Sequence, residues 1–207
     1  MTAQGGGPAL EEIALFPLRT VLFPGGPLRL RIFEPRYLDM VRAALKSGSE
    51  FGVLLLTSGG EVGPAETVDC GTSARITDFD ALPDGLLGIA CRGARRFRLA
   101  IHRQQSDGLH VGRVRWLEEP QPAPLPPQFE QLGRLLGELL PQLRDEYGGS
   151  EQRLDDAVWV GYRLAEILPL PLADRQRYLE LDDPSARLRM LEEFLAQWRA
   201  QTRGRGA

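Results

Sequence analysis

The sequence predicts an α+β chain: an antiparallel barrel or sandwich of short strands, interrupted by one helix and followed by a helical bundle. Three observations carry this expectation. Up to about residue 119 the apolar residues alternate with a period of two, and beyond it they recur at helical spacing. Between the two parts lies EPQPAPLPP, with proline at 120, 122, 124, 126 and 127. Such a string favours extended polyproline geometry and reads as a semi-rigid connector. The expected boundaries are 1–118 for the strand-rich part, 119–127 for the connector and 128–207 for the helical part.

The first elements follow a doubled Leu-Phe-Pro, Leu15-Phe16-Pro17 and Leu22-Phe23-Pro24, ahead of Gly25-Gly26-Pro27. Prolines and paired glycines place a turn between the first two strands. Leu28, Leu30 and Ile32 then alternate with Arg29, Arg31 and Phe33, the pattern of a half-buried strand. Pro35 suits the first position of a helix, where its missing N–H costs nothing. Phe33 and Leu38 occupy the staple positions at that helix's start, and Gly48 supplies its stop. Tyr37 or Leu38, with Val41 and Leu45, forms its expected buried stripe.

Five further sequence signals continue the strand-rich part. FGVLLLT at 51–57 is a short apolar run bounded by glycines, and TSARITDF at 72–79 puts Ala74 and Ile76 on one face. GLLGIAC at 85–91 follows the turn LPDG, and RRFRLAI at 95–101 alternates Arg96 and Arg98 with Phe97 and Leu99. HVGRVRWL at 110–117 alternates Arg113 and Arg115 with Val114 and Trp116. About seven short strands with turn residues between them predict a barrel or sandwich, and a barrel would also remove exposed edges.

The second part reads as helices. Phe129, Leu132, Leu136, Leu139 or Leu140, and Leu143 form one stripe, which Pro141 kinks or ends. Leu154, Val158, Tyr162 and Ala165 form another, stopped before the prolines of PLPL at 169–172, and a short helix follows around 173–181. Asp183-Pro184 reads as an N-cap with proline at the first position, opening a last helix through Leu188, Leu191, Leu195 and Trp198.

Composition narrows the function classes. With 207 residues, 43% apolar and 26% charged, the chain has the make-up of a soluble globular protein with a substantial core. A net charge of −3 provides no field that attracts polyanions. Lys46 is the only lysine, so the basic side is nearly all arginine. Cys70 and Cys91 lie in strand-like segments and read as reduced, buried thiols. The first dozen residues lack the pattern of a signal peptide, and no apolar run is long enough to cross a bilayer. The expected location is the cytoplasm, away from membranes.

Catalytic signatures are sparse. There is no GxxxxGK[ST] phosphate loop and no GxSxG elbow. His102 and His110, the only histidines, flank the turn QQSDGL and read as decoration of a hairpin. Asp78 and Asp80 share a strand face, but CxxC and HxxxH are absent, so neither metal nor cofactor is expected. One concentration stands out: arginines at 92, 95, 96, 98, 103, 113 and 115 against the single acid Asp107. If the two strands pair, Arg96, Arg98, Arg113 and Arg115 share the outer face of a hairpin, and clustered guanidiniums bind phosphates or carboxylates. The competing reading is an ordinary solvated face with acids on neighbouring strands. Few aromatics interleave with these arginines, which counts against base stacking.

LFPLRTVLFPGGPLRLRIFEPRY resembles the start of the Lon substrate-binding domain, the amino-terminal domain of ATP-dependent Lon proteases, also found as a free-standing small bacterial protein. The resemblance continues through FGVLLL, VDCGTSARITDFDALPDGLLGIACRGARRFRL and LAEILPLPLADRQRYLELDDPSARLRMLEEFL, covering about residues 12 to 198. It implies a PUA-like pseudobarrel of about six strands plus a helix, followed by a helical bundle. It further implies a domain that recognises and tethers substrate proteins. The sequence carries neither the family's nucleotide-binding module nor its Ser–Lys peptidase, so no enzymatic activity is expected.

The expected partners are unfolded or damaged polypeptides or a partner protein. Candidate contact residues are Phe23 and Phe33 if exposed, Arg36 and Tyr37 beside the helix start, and Arg92, Arg95, Arg96 and Arg98. For both phenylalanines the competing reading is core. An alternative function is RNA binding by a PUA-like protein through the arginine-rich 92–115 hairpin, which the acidic overall charge disfavours.

Overall fold

A computed structural model describes residues 9–59, 65–147 and 151–204. The chain divides into two compact units, Met1–Glu118 and Glu119–Ala207. The first unit is built on seven strands: β1 (Glu11–Leu18), β2 (Pro27–Ile32), β3 (Phe51–Gly59), β4 (Ala65–Thr67), β5 (Cys70–Ala81), β6 (Leu87–Gln104) and β7 (His110–Trp116). Their order is β1-β7-β6-β5-β3-β4, and β1 also pairs with β3, so five strands close into a ring. β2 pairs with β6 outside that path. All pairings are antiparallel except β1–β3, which runs parallel from Leu15↔Gly52 to Leu18↔Leu55.

The segments 85–91 and 95–101, expected as two strands, belong to one continuous strand. β6 is long because its first half lies between β2 and β5 while its second half pairs with β7. Its ladder is broken by bulges. Ala74 faces Gly93 and Thr72 faces Arg96, so β6 spends one more residue than β5 over this interval. Arg96 and its neighbour Phe97 are both fully buried, so both faces of β6 are covered at this point, and Arg96 reaches the Glu118 carbonyl just beyond β7.

The turn after β1 is fixed by backbone contact. Gly25 has φ 72°, its N–H donates to the Gly93 carbonyl at 2.8 Å, and the Gly93 N–H donates to the Gly26 carbonyl at 2.8 Å. A Cβ on Gly93 would lie 2.1 Å from the Phe23 carbonyl oxygen, so only glycine permits this approach. The same docking buries Phe23 completely.

α1 (Pro35–Ser47) starts at its proline and stops at Gly48, whose φ is 68° and whose N–H returns to the Ala44 carbonyl. Tyr37, Met40, Val41 and Ala44 form the buried stripe, and Leu45, expected within it, is 42% exposed. At 100° per residue Leu45 drifts to the edge of a face centred on 37-40-41-44. That face packs in a core with Phe16, Ile32, Phe51 and Ile89, while Ile13, Leu15, Leu54, Phe97 and Val114 form a second cluster. Each such fully buried side chain contributes about 1.5–3 kcal/mol of transfer free energy.

The second unit holds α2 (Glu130–Leu139), α3 (Arg144–Tyr147), α4 (Ala157–Ile167), α5 (Leu172–Glu180) and α6 (Pro184–Gly204), with 3-10 turns at Pro127–Phe129 and Leu140–Leu143. Pro141 falls in the latter turn, where the α-helical ladder gives way. Asp156 caps α4, its Oδ1 accepting from the Val158 and Trp159 N–H groups. Asp183 caps the start of α6 in the same way, through the Ser185 N–H at 2.8 Å. The proline-rich stretch does more than space: the Leu125 N–H donates to the Asp155 carbonyl, and the Ala157 N–H to the Ala123 carbonyl. Leu188, Leu191 and Leu195 of α6 are buried, whereas Trp198 is 43% exposed. Among the described residues no helix is long and apolar enough to cross a membrane.

Candidate functional site

Two depressions of the first unit lie beside α1. The smaller, about 160 Å³, is floored by Phe16, Leu18 and Tyr37 and edged by Arg29, Arg31, Phe33 and Glu34. Phe16 and Tyr37 stack there with ring centroids 3.8 Å apart, which rigidifies the floor. Phe33 stands at the rim with 60% of its surface exposed, because it falls between the end of β2 and Pro35, where neither strand nor helix turns it inward.

The larger depression, about 510 Å³, lies along the first half of β1. Glu11, Glu12, Ile13 and Ala14 line it, together with Gly48–Phe51 and, from α1, Arg36, Asp39 and Met40. Asp107, Arg95 and Trp116 complete its rim. Arg36 is held in place from two directions: its Nη2 pairs with Glu34 Oε2 at 2.7 Å, and its Nη1 donates to the Gly108 carbonyl at 2.7 Å. It thereby ties the start of α1 to the β6–β7 turn, where Gly108 has φ 85°. The Arg95 guanidinium lies 3.9 Å above the Trp116 ring centroid, a cation–π contact, and the Trp116 indole N–H donates to Glu11 Oε2 at 2.6 Å.

The expected contact residues divide by depth. Phe33, Arg36 and Arg95 line one or other depression. Phe23 and Arg96 are both buried at 0% exposure, so as surface contacts they are corrected: the docked turn covers Phe23, and Arg96 lies under the chain at Glu118. Tyr37, carried inward by α1 to 1% exposure, offers contact only as part of the floor of the smaller depression. Arg96 Nη2 donates to the Glu118 carbonyl at 2.9 Å, a structural bond. Arg92 Nη1 donates to the Gly25 carbonyl and holds the β1–β2 turn. Arg98 pairs with Asp69 at 2.9 Å and lines neither depression.

The arginine face therefore differs from the expected set of four. Arg98 faces Arg115 across β6–β7, and Arg113 faces Ile101, with Arg96 inside. Neighbouring elements supply acids: Asp69 for Arg98, Glu12 for Arg103 and Glu50 for Arg75. The two histidines also differ from simple decoration. His102 Nε2 and His110 Nδ1 are 2.9 Å apart, and His110 is buried with no hydrogen-bond partner at Nε2. Burial lowers both imidazole pKa values; for His110 the neighbouring His102 and then Arg36 push in the same direction. Among the described residues no group of three His, Cys, Asp or Glu side chains is placed to hold a metal.

Sequence reasoning missed Glu11, Asp39, Glu50, Asp107 and Trp116. A Trp ending an alternating strand, with a Glu pair opening another, was the available signal; only strand pairing shows that the two meet.

Comparison with known proteins agrees with this architecture. Residues 12–197 match the family model of the ATP-dependent protease La (LON) substrate-binding domain. A crystal structure of a Lon N-terminal domain protein from Xanthomonas campestris superposes with a TM-score of 0.74 at 41% identity, covering 90% of this chain and 98% of that one. The N-terminal domain of a Mycobacterium avium complex Lon protease shares the fold, with a TM-score of 0.62 at 18% identity and 90% and 98% coverage. Lon protease 2 of Myxococcus xanthus is 24% identical over 194 residues, 89% of this chain. The Lon protease of Methylocella silvestris is 26% identical over 198 residues, 92% of this chain. The chain spans 23% and 24% of the length of these two curated relatives. With a PUA-like β-fold, a helical unit after it and a family match along nearly all of its length, the chain belongs to the Lon substrate-binding domain family.

Proposed function

We propose that this chain is a polypeptide-binding module that holds unfolded or damaged protein segments at the surface beside α1, without ATP hydrolysis or peptide cleavage of its own. The match of residues 12–197 to a substrate-binding domain carries the reading. The site chemistry supports it. An exposed aromatic at the rim of a rigid apolar floor, Phe33 above Phe16 and Tyr37, is the kind of anchor point that recognises apolar side chains without demanding one sequence. Lys46, the one lysine, sits exposed in the last turn of α1, far from the desolvated setting a Ser–Lys nucleophile needs.

The test titrates the full chain into a fluorescein-labelled, reduced and carboxymethylated protein that cannot refold, read by anisotropy. Saturable binding is expected, weakened about threefold to tenfold by Phe33→Ala, with an unchanged thermal midpoint. Absence of binding to several such unfolded proteins rejects the proposal, and cleavage of them by the pure chain rejects its non-catalytic part.

A further inference from the structure

The ring of strands is not closed along its whole height. β1 pairs with β7 through Glu11–Leu15 but with β3 only through Leu15–Leu18. Continued backward, the Leu15↔Gly52 register would set Glu11–Ala14 against Gly48–Phe51. That continuation does not form, because Gly48 ends α1 in a left-handed conformation and β3 starts only at Phe51. Among the described residues no strand pairs with the second edge of Glu11–Ala14. The gap is the groove of about 510 Å³ beside α1. An edge left this way presents a row of N–H and C=O groups and is a template for an added strand.

Charge selects what can be added. The groove is lined by five carboxylates, of Glu11, Glu12, Asp39, Glu50 and Asp107, against the guanidiniums of Arg36 and Arg95. Arg36 is already engaged by Glu34 and the Gly108 carbonyl. Glu12 and Asp39 have arginine partners, Arg103 and Arg42, that lie outside the groove lining and are more than half exposed, whereas Glu50 is held by Arg75 and by the Ser73 hydroxyl at 2.6 Å. The two exposed pairs, of Glu12 and Asp39, hold weakly and exchange readily for a better-placed cation. Among the described residues, Glu11 accepts only from the Trp116 indole and Asp107 only from the Leu109 backbone N–H. A second copy added edge to edge would bring Glu11-Glu12 against the same acidic wall, which like-charge repulsion opposes.

We infer that the groove takes an extended, lysine- or arginine-bearing polypeptide segment, added as a strand to the free edge Glu11–Ala14. This rests on the polypeptide-binding reading and assigns it a place and a chemistry. Main-chain pairing gives affinity that is indifferent to sequence, and alternate side chains give the preference for positive charge.

The test uses the full chain and a fluorescein-labelled peptide of four Val-Lys repeats, with four Val-Glu repeats as the charge-reversed control, read by anisotropy. The Val-Lys peptide is expected to bind at least about tenfold more tightly than Val-Glu, with an affinity that falls as salt rises. Along a strand alternate N–H groups point to the same edge, so N-methylation of all valines or of all lysines blocks one edge at a time. One methylated peptide should lose binding by about tenfold or more and the other should keep it. The double variant Glu12→Gln, Asp39→Asn should weaken Val-Lys binding severalfold with an unchanged thermal midpoint.

Equal affinity for both charges, or equal behaviour of both methylated peptides, overturns the inference. If the chain still captures unfolded protein in that case, the wider polypeptide-binding reading survives; if it captures none, that reading falls as well. Sedimentation velocity that reveals a dimer dissociated by the Val-Lys peptide assigns the edge to a second copy and also overturns the inference.

Discussion

Two arginines, two residues apart on β6, should respond very differently to removal. Arg96 is fully buried, and its Nη2 donates to the Glu118 carbonyl at 2.9 Å. In Arg96→Ala that carbonyl loses a charge-assisted bond, a cost of about 1–3 kcal/mol. The space vacated by the guanidinium adds a cavity cost of about 1–2 kcal/mol. The sum is about 2–5 kcal/mol. Arg98, 44% exposed, pairs with Asp69, 59% exposed, at 2.9 Å. Arg98→Ala removes a surface pair and should cost no more than about 1 kcal/mol. Urea denaturation reads the difference directly, followed by Trp116 fluorescence in a Trp159→Phe, Trp198→Phe background. With a slope of about 2 kcal/mol per molar urea, the midpoint should fall by about 1–2.5 M for Arg96→Ala and by no more than about 0.5 M for Arg98→Ala. Equal midpoints for the two variants would refute the assignment of Arg96 to the interior. They would also restore Arg96 to the outer arginine face on which an RNA-binding reading depended.

The histidine pair predicts sensitivity to acid. Burial holds the pKa of His102 and His110 below the ordinary value of 6.5, so the unfolded chain binds protons more readily than the folded one. Their contribution to stability is complete above about pH 6.5 and is lost as pH falls through the folded values. The thermal midpoint should therefore drop between about pH 7.5 and pH 5, and drop less in His102→Gln; an identical pH profile in that variant would remove the pair as the cause. Thiol chemistry offers a second check. Cys70 and Cys91 are both free and buried, and burial lifts the Cys91 thiol to about 12. At about pH 8 neither should react with Ellman's reagent in the native chain, and both should react after unfolding; rapid native reaction would contradict the packing around them.

Some elements were legible because their causes are local. Pro35 and Gly48 mark the ends of α1, and Asp183-Pro184 opens α6, through rules that involve only a few neighbouring residues. The alternation of β2 and β7 and the turn at Gly25-Gly26 were readable for the same reason. Where the sequence reading failed, a distant partner decided. Alternation alone places Arg96 beside Arg98 on the outside, but Arg96 is covered where it reaches the Glu118 carbonyl, so it is buried together with Phe97 on the opposite face. Nothing local to RRFRLAI reports that cover, because it involves residue 118.

The same distinction governs the candidate site. The sequence named Phe33 and Phe23 alike as contacts if exposed, with the core as the competing reading, and only the fold separates them. Phe33 is exposed between β2 and Pro35, whereas Phe23 is buried because Gly93 lets two backbones meet. The open edge at Glu11–Ala14 exists only because β3 joins β1 at Leu15 and not before. Periodicity and capping thus decided the kinds of element, the order in which they occur and the ends of the principal helices. Register, covering segments and ring closure decided which arginines face water, which of Phe23 and Phe33 is exposed and where a strand is left unpaired, since each depends on contacts between residues far apart in the chain.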